Sequence, residues 1–136
     1  DITTSAGAQS APIAFAEAGV TPAEMDIAMI YDSFSSTVLT LLEDLGFCAK
    51  GEGGAWVTGG RLKFDQSDGP ALNTDGGGLS STHPGMRGIF LLIEAARQLR
   101  GESTAQVEAA RLAVAHGNGG MLGSRHSAGT IILAGD

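Results

Sequence analysis

The sequence has little cysteine, few aromatic and basic residues, and no long hydrophobic run. Its single cysteine, Cys48, can neither close an internal disulfide nor build a thiolate metal site, which fits a reducing compartment. Eight Lys and Arg against fifteen Asp and Glu give a formal net charge of −7, the wrong sign for a nucleic-acid or anionic-membrane surface. No apolar run reaches the ~18 residues that a membrane-spanning helix needs. These absences argue against nucleic-acid and membrane partners and predict a cytoplasmic domain.

The chain has 136 residues, so its size allows one compact domain, 1–136, and no second core. An apolar content of 43% is too high for a disordered chain. The 21 glycines cluster, which marks places where the backbone turns tightly or approaches something closely. The start, Asp1-Ile2-Thr3, has neither an initiator Met nor a charged n-region, so it predicts neither a signal peptide nor a natural N-terminus, and we expect the chain to be a piece of a longer polypeptide.

The N-terminal part predicts a helix, a single helical turn and a buried strand. Pro12 at a first-turn position and Gly19 as a stop predict a helix over about 11–18. Thr21 and Glu24 have the spacing of a capping box. The apolar run 27–31 lacks helical polarity, which is typical of a strand covered on both faces.

Two longer helices flank an irregular, glycine-rich loop at about 47–78. The first helix ends at Gly46 and places five apolar side chains on one stripe: Phe34, Val38, Leu41, Leu42 and Leu45. The second is predicted over about 85–100, almost enclosed, with a narrow polar strip at Glu94, Arg97 and Gln98.

The C-terminal part predicts two strands, 111–116 and 130–134, joined through a glycine-rich turn at 117–120. Strands that alternate with helices and end in such a pair predict an α/β fold. We expect a mixed four- to five-stranded sheet with helices on both faces, a three-layer αβα arrangement.

Polar residues follow the predicted strands where ligands of open α/β sheets bind. Asp32 follows the first strand and either caps the next helix or orients a water or an imidazole. His83 precedes Pro84 at the positive end of an enclosed helix, where the neutral form of the imidazole is favoured. A neutral imidazole can donate a hydrogen bond to an oxyanion or accept a proton. The alternative is that His83 only caps the helix. His116 ends a strand on the face of Leu112 and Val114, where a structural histidine is the alternative.

The flexible backbone around these residues supplies the candidate substrate-binding positions. They are Gly77, Gly78, Ser80, Met86, Asn118 and Gly119. No metal site is predicted, because no histidines have the paired spacing of zinc ligands. His126 is interpreted as a solvated loop residue and Cys48 as a buried structural thiol.

Five collinear motifs then identify a resemblance. They read Tyr31-Asp32-Ser33-Phe34, Gly46-Phe47-Cys48 with Gly51-Glu52-Gly53, Asn73-Thr74-Asp75-Gly76-Gly77 leading to His83-Pro84, EAARQLRG at 94–101, and Gly117-Asn118-Gly119-Gly120. Across about 12–133 the chain resembles the C-terminal half of the thiolase superfamily, in its sterol-carrier-protein-x-like or lipid-transfer-like branch. The resemblance implies a dimer, coenzyme A thioesters as substrates and no separate cofactor.

The resemblance also implies residue roles. His83 falls on the family's catalytic or oxyanion-hole histidine, Asp32 on the asparagine that positions a catalytic water, and His116 on an acid/base cysteine. The two substitutions are departures, since Asp32 offers only acceptors where an amide would donate. The nucleophilic cysteine of the family lies in its N-terminal half, which this chain lacks. Catalysis by both histidines requires that the two imidazoles open into one cavity.

Three functions follow from this sequence. The leading hypothesis is half of a thiolase-like acyl-CoA acyltransferase that makes or breaks a carbon–carbon bond next to a thioester, completed by an N-terminal half or a complementary subunit. The first alternative is a retro-aldolase acting on steroid side-chain CoA thioesters with a small OB-fold partner. The second alternative is a non-catalytic acyl-CoA-binding or lipid-binding and dimerisation module.

Overall fold

The computed structural model describes residues 2–81, 85–120 and 126–136. Its α/β architecture confirms the predicted class. The helices are α1 (Gly7–Ala18), α2 (Ser35–Asp44), α3 (Gly53–Trp56), α4 (Gly77–Ser80) and α5 (Arg87–Leu99), with 3-10 turns at Pro22–Glu24 and Thr58–Gly60. The strands are β1 (Ile27–Ile30), β2 (Ala71–Leu72), β3 (Leu112–Gly120) and β4 (His126–Ala134).

The four strands form one mixed sheet in the order β2-β1-β3-β4. Strand β1 pairs in parallel with β2 and β3, and β3 pairs antiparallel with β4. The register places Ile30 beside His116 and His116 beside Thr130. The three parallel strands therefore end at one edge of the sheet, where ligand sites of such folds lie.

Side chains that alternate along the central strands fill a core on each face of the sheet. On one face Ala28, Ile30 and Val114 pack with α1 and α2. On the other face Ile27, Met29, Ala113 and Ala115 pack with Leu91 and Ala95 of α5. This two-faced burial confirms the predicted αβα layers and explains why β1 is apolar at every position.

Helix α1 is longer than predicted, because it begins at Gly7 and contains Pro12 in its interior. The extra turn packs closely on the sheet, since a Cβ on Gly7 would lie only 3.2 Å from Cε1 of the His116 ring. The predicted end is confirmed: Gly19 has φ 70° and its N–H donates to Ala16 O, while Val20 N donates to Phe15 O. The predicted pairing of Thr21 with Glu24 is also present, since Thr21 N donates to Glu24 Oε2 at 2.7 Å.

The predicted stripe of α2 is confirmed except at its first member. Val38, Leu41, Leu42 and Leu45 are buried, whereas Phe34 is 69% exposed. Phe34 stands at the N-cap with an extended backbone, φ −147°, so it precedes the helical geometry on which the spacing argument depends.

Helix α5 corrects the prediction of an almost enclosed helix with a polar exposed strip. Ile89, Phe90 and Ile93 are exposed by 40% to 52%, whereas Glu94 and Gln98 are buried. The two polar side chains are buried because neighbouring loops supply hydrogen bonds to them, for example Thr74 Oγ1 to Glu94 Oε1 at 2.7 Å. The apolar face that they leave outside has no cover within the described part of the chain.

The C-terminal strands are longer than predicted. Residues 117–120 were expected to form a turn, but they extend β3 and pair with β4 from Gly129 to His126. His126 is therefore a strand residue and not a solvated loop residue, and its Nδ1 accepts a hydrogen bond from Ala6 N at 3.2 Å. The predicted loop at 47–78 is largely irregular, but it contains α3, the short strand β2 and the start of α4. None of the described helices is long and apolar enough to cross a membrane.

Candidate functional site

A cleft of about 450 Å³ opens at the carboxyl edge of the sheet. It lies between the end of β1, the start of α5 and the paired strands β3 and β4. Its lining residues are Tyr31, Gly85, Met86, Arg87, Gly88, Gly117, Asn118, Gly119, Ser127, Ala128 and Gly129. A Cβ on Gly117 would lie 3.8 Å from Gly88 Cα, so glycine permits the close approach of β3 to α5. The cleft brings together three predicted substrate-binding residues, Met86, Asn118 and Gly119.

Tyr31 lines this cleft and was missed as a candidate side chain. It follows β1 directly, and its N–H donates to His116 O at 3.0 Å, which fixes its backbone to β3. The sequence contained one signal for Tyr31, which is that it lies at the end of the predicted buried strand. Asp32, the next residue, was chosen as a candidate because of this same position. Because successive residues of an extended chain point to opposite sides, only one of the two faces the cleft.

Asp32 is buried and binds the backbone of α4. Its Oδ1 accepts from Gly78 N at 2.8 Å and its Oδ2 accepts from Leu79 N at 3.1 Å. The interpretation that Asp32 caps α2 is not supported, since the N-cap of α2 is Phe34 and no side chain caps that helix. The carboxylate uses both oxygens to hold a loop, and its catalytic role stays a prediction.

Gly77 and Gly78 serve this contact in the structure. Gly77 has φ 73°, and a Cβ there would stand only 2.3 Å from Asp32 Oδ2. A Cβ on Gly78 would lie 3.0 Å from Asp32 Oδ1. Only glycine therefore lets the carboxylate reach the amides of α4 without displacement. Ser80 is exposed at the end of α4, and substrate binding by these three residues stays a prediction.

Three consecutive residues after β2 bind two other elements, β1 and α5. Asn73 bonds to β1 twice, accepting from Ile30 N at 2.8 Å and donating to Ile30 O at 2.9 Å. Thr74 donates to Glu94 in α5 at 2.7 Å, and Asp75 accepts from Arg87 at the start of α5 at 2.8 Å. The Asn-Thr-Asp motif is therefore a structural junction that the sequence marked without showing its partners.

His83 lies outside the described residues, so its predicted catalytic role is neither confirmed nor contradicted. Before its segment, Ser81 N and Oγ donate to Gly77 O at 3.0 and 2.8 Å. After it, Gly85 and Met86 line the cleft. The chain therefore leaves this segment beside the candidate site.

His116 is fully buried on the α1 side of the sheet and is not among the residues that line the cleft. Its Nδ1 is 2.8 Å from Thr130 Oγ1, and its Nε2 is buried with no hydrogen-bond partner among the described residues. Burial, reinforced by the nearby His126, lowers the pKa of His116 to about 4, although Asp44 opposes this shift. The ring is therefore neutral at pH 7. The described residues do not bring it to the cleft, and catalysis by His116 stays a prediction.

Cys48 has the character of a protonated thiol. It is half-buried, and burial raises its pKa, with further increases from the carboxylates of Glu43 and Glu52. A raised pKa lowers the thiolate fraction that nucleophilic attack requires. In residues 2–81, 85–120 and 126–136, no three His, Cys, Asp or Glu side chains gather as metal ligands would.

Comparisons with known proteins place these features in a family. Acetyl-CoA acetyltransferase of Methanothermobacter thermautotrophicus is 40% identical over 113 residues, covering 82% of this chain and 29% of that protein. The 17-hydroxy-3-oxo-4-pregnene-20-carboxyl-CoA lyase of Mycobacterium tuberculosis is 43% identical over 96 residues, 65% of this chain and 22% of the lyase. Sterol carrier protein 2 of Oryctolagus cuniculus is 35% identical over 107 residues, 77% of this chain and 19% of that protein.

A solved structure, an Ltp2-ChsH2(DUF35) aldolase, shares the fold with a TM-score of 0.81 and 29% sequence identity. The match covers 94% of this chain and 31% of that chain. The chain thus spans less than a third of the length of each of these relatives. The family profile described as thiolase C-terminal domain-like matches residues 1–134. The motif-based resemblance is confirmed, and the chain belongs to the thiolase C-terminal domain-like family.

Proposed function

We propose that this chain is the C-terminal half of an acyl-CoA enzyme that makes or breaks a carbon–carbon bond next to a thioester. One observation carries the proposal: two of the motifs that identify the family, 31–34 and 117–120, meet at a single cleft at the carboxyl edge of the sheet. Tyr31 and Asn118 of these motifs line that cleft together with Met86, which follows His83-Pro84 in the sequence. The substrate is a coenzyme A thioester, and no further cofactor is required.

The cleft suits a reaction in which negative charge develops beside a thioester carbonyl. Helix α5 begins at the cleft, has no acidic residue in its first turn and no side-chain cap. Its positive end therefore faces the substrate position, where it stabilises an enolate or an oxyanion. His83, as the resemblance implies, adds a proton donor or acceptor just before this helix.

The proposal includes a second half that completes the site. The described cleft contains no nucleophilic cysteine, and Cys48 does not line it. The exposed apolar face of α5, made of Ile89, Phe90 and Ile93, is a surface that such a half would cover. An N-terminal thiolase half or a complementary subunit is the partner, and a homo-oligomer in the cytoplasm is the expected assembly.

The test uses the complete natural protein with all its segments or subunits. Purified protein is incubated with acetoacetyl-CoA and free CoA, and thiolysis is followed by the loss of the enolate absorbance. We expect His83→Ala to reduce kcat by about 100-fold or more, since general acid–base groups typically contribute that much. Arg97→Met, which replaces an exposed arginine of α5 outside the cleft, is the control. If His83→Ala and His116→Ala both kept turnover within a few-fold of wild type, neither histidine would take part in catalysis, and this chain would be the non-catalytic acyl-CoA-binding module of the complete protein.

Aldol cleavage is the second candidate, and the arrangement of the cleft favours it. His116, which falls on the acid/base cysteine of thiolases, is turned towards α1, whereas the phenol-bearing Tyr31 lines the cleft. A lyase acting on a steroid CoA thioester and an aldolase are among the relatives. In aldol cleavage the base takes the β-hydroxyl proton, the Cα–Cβ bond breaks to give a ketone, and the thioester enolate is protonated at Cα.

A pair of substrates separates the two reactions. A β-hydroxyacyl-CoA with a steroid side chain gives a ketone and a shorter acyl-CoA only by aldol cleavage, whereas acetoacetyl-CoA with free CoA reports thiolysis. The aldolase candidate also predicts a small OB-fold partner, which co-purification with the complete protein would show. Thiolysis without any ketone release would reject it.

A further inference from the structure

Strand β4 lies at one edge of the sheet, and in the described part of the chain no strand pairs with its outer side. Backbone groups of adjacent residues in a strand point to opposite sides. His116 of β3 points towards β1, since its O accepts from Tyr31 N at 3.0 Å. Arg111, just before β3, points towards β4, since its O accepts from Gly135 N at 2.8 Å. Odd-numbered residues of β3 therefore bond to β4.

The register then shows which residues of β4 point outwards. Odd-numbered residues of β3 lie beside odd-numbered residues of β4, for example Ala115 beside Ile131. The even-numbered residues of β4 consequently direct their N–H and C=O groups away from β3, and those away from the strand's first residue are Ala128, Thr130, Ile132 and Ala134. Within residues 2–81, 85–120 and 126–136, no backbone hydrogen bond joins these outer groups to another element.

The outer edge of β4 carries none of the features that normally block strand pairing. The strand has nine residues, HSAGTIILA, with no proline and no Lys, Arg, Asp or Glu. Its pairing with β3 runs without interruption from His126 to Ala134, so no bulge bends it. Natural sheets protect exposed edges with charges, prolines or bulges. A long edge without them is a surface to which another strand adds through main-chain hydrogen bonds.

Charge favours a second copy of this chain as the source of that strand. Each chain has a formal net charge of −7, so two copies repel each other over most of their surfaces. Strand β4 has no acidic side chain, and contact between two copies is least opposed there. An antiparallel strand also pairs with its own copy about a twofold axis, so that one surface serves both partners.

A twofold axis at Ile131 satisfies the outer groups of both copies. It places Thr130 beside the partner's Ile132 and Ala128 beside the partner's Ala134. All four residues direct their backbone groups outwards, so each of these pairs exchanges two N–H···O hydrogen bonds. The outer edge is thereby paired along most of its length.

The same axis also pairs the side chains favourably. Ile131, which is 48% exposed, meets the partner's Ile131 at a non-hydrogen-bonded position, where side chains of an antiparallel pair lie closest. At the end of the strand, His126 lies opposite the partner's Asp136. The Nδ1 atom of His126 accepts from Ala6 N, which leaves Nε2 to donate to that carboxylate.

We propose that β4 pairs antiparallel with β4 of a second copy about a twofold axis at Ile131 and joins the two four-stranded sheets into one. This pairing does not depend on the proposed reaction.

Disulfide cross-linking in the complete protein tests the axis. In the Ile131→Cys variant we expect mild oxidation to form a 131–131 disulfide between copies, identified by mass spectrometry. The Cα atoms of a non-hydrogen-bonded pair are about 4.5 Å apart, which a disulfide spans. Leu133→Cys is the control: it lies on the same face but beside the partner's Gly129, so it should form no 133–133 disulfide. Absence of the 131–131 bond, or an equal 133–133 bond, would overturn the proposal.

The mass of the assembly provides a second test. Ile131→Lys brings two like charges together at the axis and should halve the mass measured by light scattering. Phe64→Lys is the matched control, since Phe64 is also 48% exposed but lies in the loop before β2, at the other edge of the sheet. Ala134→Pro removes an outward N–H from an exposed position and should act like Ile131→Lys. An unchanged mass in both edge variants, with wild-type circular dichroism, would overturn the pairing.

Amide hydrogen exchange distinguishes a second copy from other occupants of the edge. The outward amides of Thr130 and Ile132 should be protected in the wild-type complete protein and exchange about tenfold faster or more in Ile131→Lys. Protection that persists in Ile131→Lys, without the 131–131 disulfide in Ile131→Cys, would show that a strand of another segment or of a different protein occupies the edge. That result would overturn the pairing of two copies.

Discussion

The buried imidazole of His116 makes the folded protein sensitive to acid over a defined pH range. Burial, with a further contribution from His126, lowers the pKa of His116 from 6.5 to about 4. In the unfolded chain the ring binds a proton as the pH falls below about 6.5. The unfolded state therefore binds more protons between these two pKa values, and stability falls as the pH decreases.

The size of the effect follows from the shift. A difference of about 2.5 pKa units at about 1.4 kcal/mol per unit gives about 3 kcal/mol, fully present above pH 6.5 and lost by about pH 4. Carboxylates titrate over part of the same range, so the wild-type curve alone does not isolate the histidine. His116→Asn provides the comparison, because its amide retains a polar atom near the position of Nδ1, which is 2.8 Å from Thr130 Oγ1.

The assay is urea unfolding at half-unit steps from pH 7.5 to pH 4, with the free energy of unfolding extrapolated to water. His116→Asn should be less stable than wild type at pH 7, because a packed ring is removed. The difference between the two proteins should shrink by about 3 kcal/mol towards pH 4. His126→Asn should retain most of the wild-type pH dependence. If wild type and His116→Asn lose stability in parallel, the ring is not held neutral by burial and the argument fails.

Three other substitutions test the cleft and its support. Gly77→Ala should destabilise the fold by about 1–3 kcal/mol in thermal unfolding, because φ is 73° and the added Cβ would meet Asp32 Oδ2. Gly54→Ala is the control. An added Cβ at Gly54 has no neighbour within 4 Å, so this variant should change stability little. Asp32→Asn replaces a carboxylate that accepts from two amides by a side chain with a single carbonyl acceptor. We expect it to lower the free energy of unfolding in urea by about 1.5–3 kcal/mol. Equal stability of the variant and wild type would show that the carboxylate does not hold α4. Tyr31→Phe should reduce kcat of the complete protein by about 100-fold on its thioester substrate if the phenol moves a proton. Full activity would remove Tyr31 from the mechanism.

The parts of the fold that were predictable are those specified by local patterns. The run 27–31 predicted a strand buried on both faces, and β1 is buried at each of its four positions. Helix α1 ends at Gly19 as predicted, and the 3-10 turn that follows begins with the predicted pairing of Thr21 and Glu24. Both signals depend only on neighbours within a few residues. The length of α1 was not predicted. Its first turn packs on the His116 ring, more than a hundred positions away, and no local pattern indicates that contact.

Tertiary hydrogen bonds determine which face of α5 is buried, and the periodicity of the sequence does not show this. Apolar residues surround most of α5, so the prediction placed Glu94 and Gln98 on the exposed face. Those two side chains are buried because loops provide hydrogen-bond donors and acceptors for them, and the local sequence does not indicate these partners. For His116 the alternation with Val114 gave the correct face of the sheet, but the sequence did not show that α1 covers that face.

The polar underside of α5 also connects two regions that are far apart in the sequence. Glu94 binds Thr74 of the motif loop and Ser103, at 2.7 and 2.6 Å. One turn further on, Gln98 donates to Ala105 O at 2.8 Å and accepts from Val107 N at 2.9 Å. The connection 103–107 is thus linked through α5 to Arg87 and Gly88, the residues of that helix that line the cleft. A change of sequence in 103–107 can therefore shift the wall of the cleft without replacing any residue that lines it.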